Sequence, residues 1–221
     1  MPVVGITGRS SGVGKTQFIE KLLGVLPGAS VLKVTIGERH AEPRIVRNKD
    51  ELLTPGKDTS RYLHAGAGTV VWISCRREDL PSTLPRAMEI FGSGLILVES
   101  NSAVESLDPE IVVFVEGEAD STAAGRGSPK DQSLRIRFRA DFVTSEPFDN
   151  FDLILDRIKE VMDMSEDRAR ELIKERAKDN RLACAVAFKI CEETGITKLR
   201  IGEIINEMDV RIATCQLGCF P

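Results

Sequence analysis

The chain has 221 residues, 42% of them hydrophobic, with 30 Lys+Arg against 34 Asp+Glu and a formal net charge of −4. That apolar content at so small a net charge can offset the ordering entropy of folding, which excludes disorder as the main theme. A pI near 5.4 argues against bulk nucleic-acid binding by phosphate neutralisation. No apolar run reaches the roughly 18 residues of a membrane span. The N-terminal MPVVGITGRS lacks the basic flank of a signal peptide, so a cytoplasmic protein with no membrane partner is expected. Five cysteines without disulfide-framework density fit a reducing compartment. One Trp, one Tyr and nine Phe leave little for a base-stacking surface.

In chain order, the spacing predicts a strand at Val3–Thr7, a Gly/Ser turn, and a helix over Lys15–Leu26 that carries Phe18, Ile19, Leu22, Leu23 and Leu26 on one face and stops at Pro27-Gly28. Val31–Ile36, Thr69–Cys75, Gly94–Val98 and Ile111–Val115 are short, continuous apolar runs, as strands buried on both faces of a parallel sheet require. Ser82–Phe91 reads as a helix with Pro85 in its first turn. Gly37–Pro55 and Glu116–Ser133 read as polar, irregular segments; Leu134–Thr144 reads as a strand and Asn150–Asp163 as a helix. The expected fold is α/β, a doubly wound, mostly parallel sheet of the P-loop NTPase kind. Ser165-Glu166-Asp167 resembles a helix N-cap with an acidic first turn. It places a domain boundary near Met164, giving a nucleotide-binding domain over 1–164 and a small helical domain over 165–221.

Gly8-Arg-Ser-Ser-Gly-Val-Gly-Lys-Thr16 follows the first strand and opens the first helix. Phosphate oxygens need convergent backbone amides, which a glycine-rich turn presents without Cβ clashes, and the helix N-terminus adds positive potential. The segment is a Walker A loop in type. Gly8, Ser11, Gly12, Val13, Gly14, Lys15, Thr16 and Gln17 are the predicted nucleotide-binding residues. Lys15 would neutralise the outer phosphates, as the one residue assigned a catalytic role, and Thr16 would hold Mg²⁺. The loop is one residue longer than the standard spacing. In this it resembles the loops of dethiobiotin synthetases and cobyrinic acid amide synthases.

A second segment, Pro55-Gly-Lys-Asp-Thr-Ser-Arg-Tyr-Leu-His-Ala-Gly-Ala67, precedes the strand at Thr69–Cys75, and a later apolar strand closes in Val98-Glu99-Ser100. Together with the Lys15-Thr16 loop, these resemble the molybdopterin-guanine dinucleotide biosynthesis protein B (MobB) family over roughly residues 1–116. The resemblance implies a Mg²⁺-dependent GTP-binding protein, weakly hydrolytic by itself, that partners the guanylyltransferase of molybdenum (or tungsten) cofactor maturation. It also implies Asp58 and Glu99 as carboxylates completing the metal shell with Thr16. Read from the residues alone, Asp58 serves nearly as well to cap the helix after it, and Glu99 as an exposed strand-end acid. Arg61 serves a nucleotide, a partner's phosphates or a surface ion pair. Gln17 stands where the family commonly has a second Thr. The sequence holds no Asn-Lys-x-Asp signature, so GTP over ATP follows from the resemblance alone.

The segment Ala187–Asn206 reads as helix, Gly-centred turn, helix, the helix-turn-helix pattern, with a strand at Val210–Cys215 after it. From 165 onward the chain holds ten basic and ten acidic residues, which favours a protein-interaction or dimerisation module over DNA binding. Cys184, Cys191, Cys215 and Cys219 are enough thiolates for Zn²⁺ or an iron–sulfur cluster. None has the two-residue Cys-x-x-Cys spacing, and Cys184 and Cys191 share an apolar stripe as ordinary small core residues do. Two rival functions stand beside the GTP-binding adaptor. One is an ATP-dependent amide-forming ligase of the dethiobiotin synthetase type, with Lys33, Arg39 and Arg44 facing an acidic substrate. The other is a DNA-binding regulator switched by the nucleotide domain. A homodimer is the default oligomer for such proteins.

Overall fold

The computed structural model describes residues 1–37, 42–92, 94–117 and 131–213. They form two compact units: Val3–Phe91 with Ile96–Ile158, and Met1–Pro2 with Gly92–Leu95 and the chain from Lys159 onward. Arg39, His40, Cys215, Cys219 and most of the 116–133 segment lie outside the described residues.

The larger unit is an α/β sheet. Its elements are β1 (Val3–Gly8), α1 (Lys15–Val25), β2 (Ser30–Ile36), β3 (Arg44–Val46), α2 (Lys49–Leu52), α3 (Asp58–His64), β4 (Val70–Cys75), α4 (Leu80–Met88), β5 (Ile96–Glu99), α5 (Asn101–Leu107), β6 (Ile111–Val115), α6 (Asp131–Arg139), β7 (Phe142–Thr144) and the first turns of α7 (Phe151–Arg176). Seven strands run in the order β3-β4-β2-β5-β1-β6-β7, all parallel but β3. The crossovers step one way from β1 through β2 to β4, then back through β5 and β6 to β7. Right-handed crossovers therefore send α1 and α3 to one face and α4, α5 and α6 to the other. The packing agrees, since α1 lies on α3 while α5 lies on both α4 and α6. This order is compatible with a doubly wound sheet. The apolar runs seen in the sequence are its central strands: Val4, Ile6, Val31, Leu32, Ile73, Leu97 and Val98 are all buried.

Four local readings change. The polar 37–55 segment contains edge strand β3, antiparallel to β4, and the short α2, whose N-terminus Asn48 caps through the amides of Asp50 and Glu51. Helix α4 starts at Leu80, two residues earlier than its sequence start, which puts Pro85 inside it rather than in the first turn. Leu134–Arg139 alternates like a strand but forms α6. Parallel β6 and β7 require a crossover between them, and the buried positions are Ser133 and Ile136, whereas Phe138 is 83% exposed. Ser165 caps nothing: it lies inside α7 and returns its hydroxyl to the Val161 carbonyl at 3.2 Å. No Gly or Pro interrupts 151–176, and Met164 falls within this single helix.

The smaller unit combines the later turns of α7 with β8 (Arg181–Ala183), α8 (Cys184–Thr194), α9 (Lys198–Glu207) and β9 (Arg211–Ala213). Leu172, Ile173, Leu182, Ile190, Cys191, Ile201, Ile204 and Ile205 form its core, and β8 pairs with β9 in parallel. Gly195 ends α8 at φ 71°, and Thr197 caps α9 through the Arg200 amide. Among the described residues, no helix is long and apolar enough to cross a membrane.

Arg200 joins three carboxylates in this unit: both oxygens of Glu166 at 2.7 and 2.8 Å, Glu203 at 3.0 Å and Glu207 at 2.9 Å. Hydrogen bonding by Arg200 holds the Glu166 carboxyl below its ordinary 4.5. Its stabilisation is therefore complete above pH 4.5 and is lost as pH falls through the lowered folded value. Arg200→Met should flatten that acid-side slope and remove on the order of 1 kcal/mol near neutral pH. Urea unfolding between pH 3 and 7 measures both.

Candidate functional site

Parallel strands deliver their C-terminal ends to one edge, so residues distant in sequence meet where β1, β2 and β5 end. Gly8 closes β1 opposite Val115 of β6. From there Arg9–Gly12 runs exposed to Gly14, which caps α1 at φ 95°, a left-handed conformation that favours glycine. No side chain caps α1. A helix N-terminus without a capping side chain is one whose first amides an anion can satisfy. The loop is held from behind by Asn101, which accepts from the Gly8 amide at 3.1 Å and donates to the Gly8 carbonyl at 2.8 Å. A Cβ on Gly8 would stand 2.8 Å from both the Val115 carbonyl oxygen and a Val13 methyl. Gly8→Ala should therefore shift the loop and cost about 1–3 kcal/mol, as overpacking does. Thermal unfolding of the variant checks this.

Lys15 donates to the Ser10 carbonyl at 2.5 Å across the loop. Burial pulls its pKa below the usual lysine value, and the Lys33 charge adds to this, while Glu99 and Asp58 oppose it. Beside it lies a compact charged cluster. Lys33, the one charge in the apolar run of β2, is in register with Glu99 of β5, so both side chains leave the same face of the sheet. Its ammonium stands 2.5 Å from Glu99 Oε1 and 2.9 Å from Asp58 Oδ2. Tyr62 of α3 donates its hydroxyl to Glu99 Oε2. Glu99 is only 3% exposed, so it is no surface strand-end acid. Burial, then the Glu99 charge, drives the Tyr62 hydroxyl pKa far up, keeping it a donor.

Asp58 is the first residue of α3, and its carboxylate turns into the cluster instead of capping the helix; the cap position belongs to Lys57. Burial alone would raise its pKa, but hydrogen bonds from Lys33 and from the Thr16 hydroxyl, with the Arg61 charge, hold it below 3.8. Arg61 grips Glu20 with two bonds of 2.8 and 2.5 Å, tying α3 to α1. Gln17 reaches Glu146 at 3.5 Å. Arg44 pairs with Glu51 at 2.6 Å.

The structure thus brings together Gly8, Gly14, Lys15, Thr16, Asp58 and Glu99. Ser11, Gly12 and Val13 lie on the loop itself. The chain matches no family model, no curated protein and no solved structure.

The donors suit a hard divalent cation. An ammonium already bridges Asp58 and Glu99, and the Thr16 hydroxyl converges on Asp58. Two carboxylates and a hydroxyl are hard oxygen donors of the kind that would hold Mg²⁺ together with water. Among the described residues, no group of three or more His, Cys, Asp and Glu is placed to hold a metal ion. Cys184 and Cys191 are both free thiols on α8, with Cys191 in the core.

Three participants escape a motif reading. Lys33 enters it only through a rival function, although a lone lysine within a buried strand is itself a signal of a paired or functional charge. Tyr62 lies inside the Pro55–Ala67 segment, where nothing in the spacing marks it as a partner of Glu99. Asn101 follows the Val98-Glu99-Ser100 strand end, and only the sheet order brings it to Gly8.

Proposed function

We propose that this chain is a P-loop nucleoside-triphosphate-binding protein that takes GTP with Mg²⁺. It hydrolyses GTP slowly and assists molybdenum- or tungsten-cofactor guanylylation as a nucleotide-loaded adaptor for a molybdopterin guanylyltransferase. The observation that carries the nucleotide reading is the glycine-rich turn from Gly8 at the end of β1 to Gly14 at the start of α1, beside Asp58 and Glu99 held 2.9 and 2.5 Å from one ammonium. Loop amides and the open N-terminus of α1 would take the inner phosphates, and Lys15 the outer ones. Thr16, Asp58 and Glu99 would hold Mg²⁺, directly or through its waters; the ion would offset charge developing on the phosphates. Hydrolysis needs a positioned water and added positive charge on the transferred group. Gln17 is occupied with Glu146 and Arg61 with Glu20, which supports slow turnover.

Lys33 favours a second reading. A further ammonium beside the phosphate loop suits an ATP-dependent ligase that must hold an anionic carboxylate against the outer phosphate. Calorimetric titration with GTP and then ATP, in Mg²⁺, separates the two. A GTP preference of tenfold or more, about 1.4 kcal/mol, supports the adaptor. A preference for ATP, with ADP release that depends on a carboxylic acid, moves the ligase to the front.

The smaller unit supports an interaction role, with a partner protein or a second copy, rather than the nucleic-acid reading of a helix-turn-helix pair. On α9, Arg200 is consumed by three carboxylates and Lys198 lies over the Phe188 ring at 4.7 Å. Neither cation is left free for phosphate contacts.

A further inference from the structure

Charge in the cluster is balanced without any ligand: two ammoniums, Lys15 and Lys33, stand with two carboxylates, Asp58 and Glu99. The balance is uneven in space. Lys15 is directed to a backbone carbonyl of the loop, whereas Lys33 alone bridges both carboxylates. Lys33 is 18% exposed and Glu99 3%, so bulk water screens this bridge weakly. The bridging ammonium lies 2.5 Å from Glu99 Oε1 and 2.9 Å from Asp58 Oδ2, two oxygens of the carboxylates that would hold Mg²⁺. Mg²⁺ binds oxygen at about 2.0–2.1 Å. An ion on these oxygens and the ammonium would then occupy nearly the same space with like charge, so one must leave. A metal ion entering alone would leave the site strongly positive, with Lys33 stripped of its partners. A metal ion entering with a polyphosphate brings several negative charges, to which the flexible lysine stem can redirect its ammonium.

We propose that Lys33 is a resident stand-in for the divalent cation. It closes the Asp58–Glu99 pair to free metal ions and yields only to metal that arrives with phosphate. The device rests on the nucleotide-binding reading above and adds an order of events to it. Metal and nucleotide enter as one ligand, and the released ammonium becomes a contact for the phosphates or for whatever anion meets them.

The test uses Mn²⁺ alone, followed by the electron paramagnetic resonance signal of the free ion, on the full chain without nucleotide. Lys33→Met should bind one Mn²⁺ at least tenfold more tightly than the wild type, and Lys33→Arg, which keeps the cation, should bind it as weakly as the wild type. Equal Mn²⁺ affinity in Lys33→Met and wild type overturns the proposal, as does tight one-to-one binding by the wild type. If Lys33→Met folds poorly because its carboxylates are left unpaired, its thermal midpoint should rise in MnCl₂ but not in NaCl of equal ionic strength; no such rise overturns the proposal too. A separate GTP and ATP titration of the wild type distinguishes the two failures. Absence of nucleotide binding sinks the function while leaving the Mn²⁺ contrast to be judged by itself.

Discussion

Lys15→Ala should lower triphosphate affinity about a hundredfold, near 3 kcal/mol, as expected when a charge-assisted hydrogen bond is removed from a largely desolvated site. It should do so without unfolding the nucleotide-free protein. Burial holds the Lys15 pKa below its ordinary 10.5, so the folded state binds that proton less readily than the unfolded chain does. Wild-type stability accordingly gains as pH rises from the lowered value towards 10.5, and the variant should lose this alkaline-side gain. Calorimetry with Mg²⁺ and nucleotide reads the first effect, and urea unfolding between pH 7 and 10.5 the second. Unchanged affinity in the variant would remove the phosphate loop from the function altogether.

The largest effect on stability should come from Glu99→Gln. The amide keeps the shape but leaves the half-buried Lys33 ammonium with Asp58 alone, and Tyr62 facing a weaker acceptor. Breaking a buried ion pair from one side costs about 3–5 kcal/mol, because the remaining charge stays desolvated. Since Lys33 keeps Asp58, the low end, about 3 kcal/mol, is expected in urea unfolding. The double variant Lys33→Met/Glu99→Gln should recover part of that loss, since neither uncompensated charge remains. A double loss equal to the sum of the singles would show that the two side chains do not interact. Nucleotide binding by Glu99→Gln should also lose most of its dependence on Mg²⁺.

The central strands were legible because parallel strands buried on both faces have to be continuously apolar, as Ile96–Val98 and Ile111–Val115 are. The turn between β1 and α1 was legible because its residues are local: one short segment supplies glycines, lysine and threonine together. What the sequence hid was relational. Leu134–Arg139 alternates as a strand does, and only the parallel pairing of β6 with β7 makes a helix necessary there. Ser165 with its acidic followers resembles a cap, yet a run without Gly or Pro let α7 continue through it. Lys33 and Glu99 are 66 positions apart in sequence and adjacent in space because β5 returns between β2 and β1. Asp58 has the same spacing to its helix whether it caps or ligates. Its role depends on which neighbours the fold supplies, here Thr16 and Lys33.

The grip of Asn101 on Gly8 bears on the unusual length of the loop. With both backbone groups of Gly8 occupied on one side and Val115 in register on the other, the end of β1 is fixed from two directions. At the far end, Gly14 is fixed by the start of α1. An inserted residue therefore cannot slip the strand or rewind the helix; its slack has to emerge between these anchors, in the exposed Arg9–Gly12 stretch. The span between the anchors behaves as an adjustable strap on a rigid buckle. A change in its length would leave the lysine, the threonine and the two carboxylates at their mutual distances.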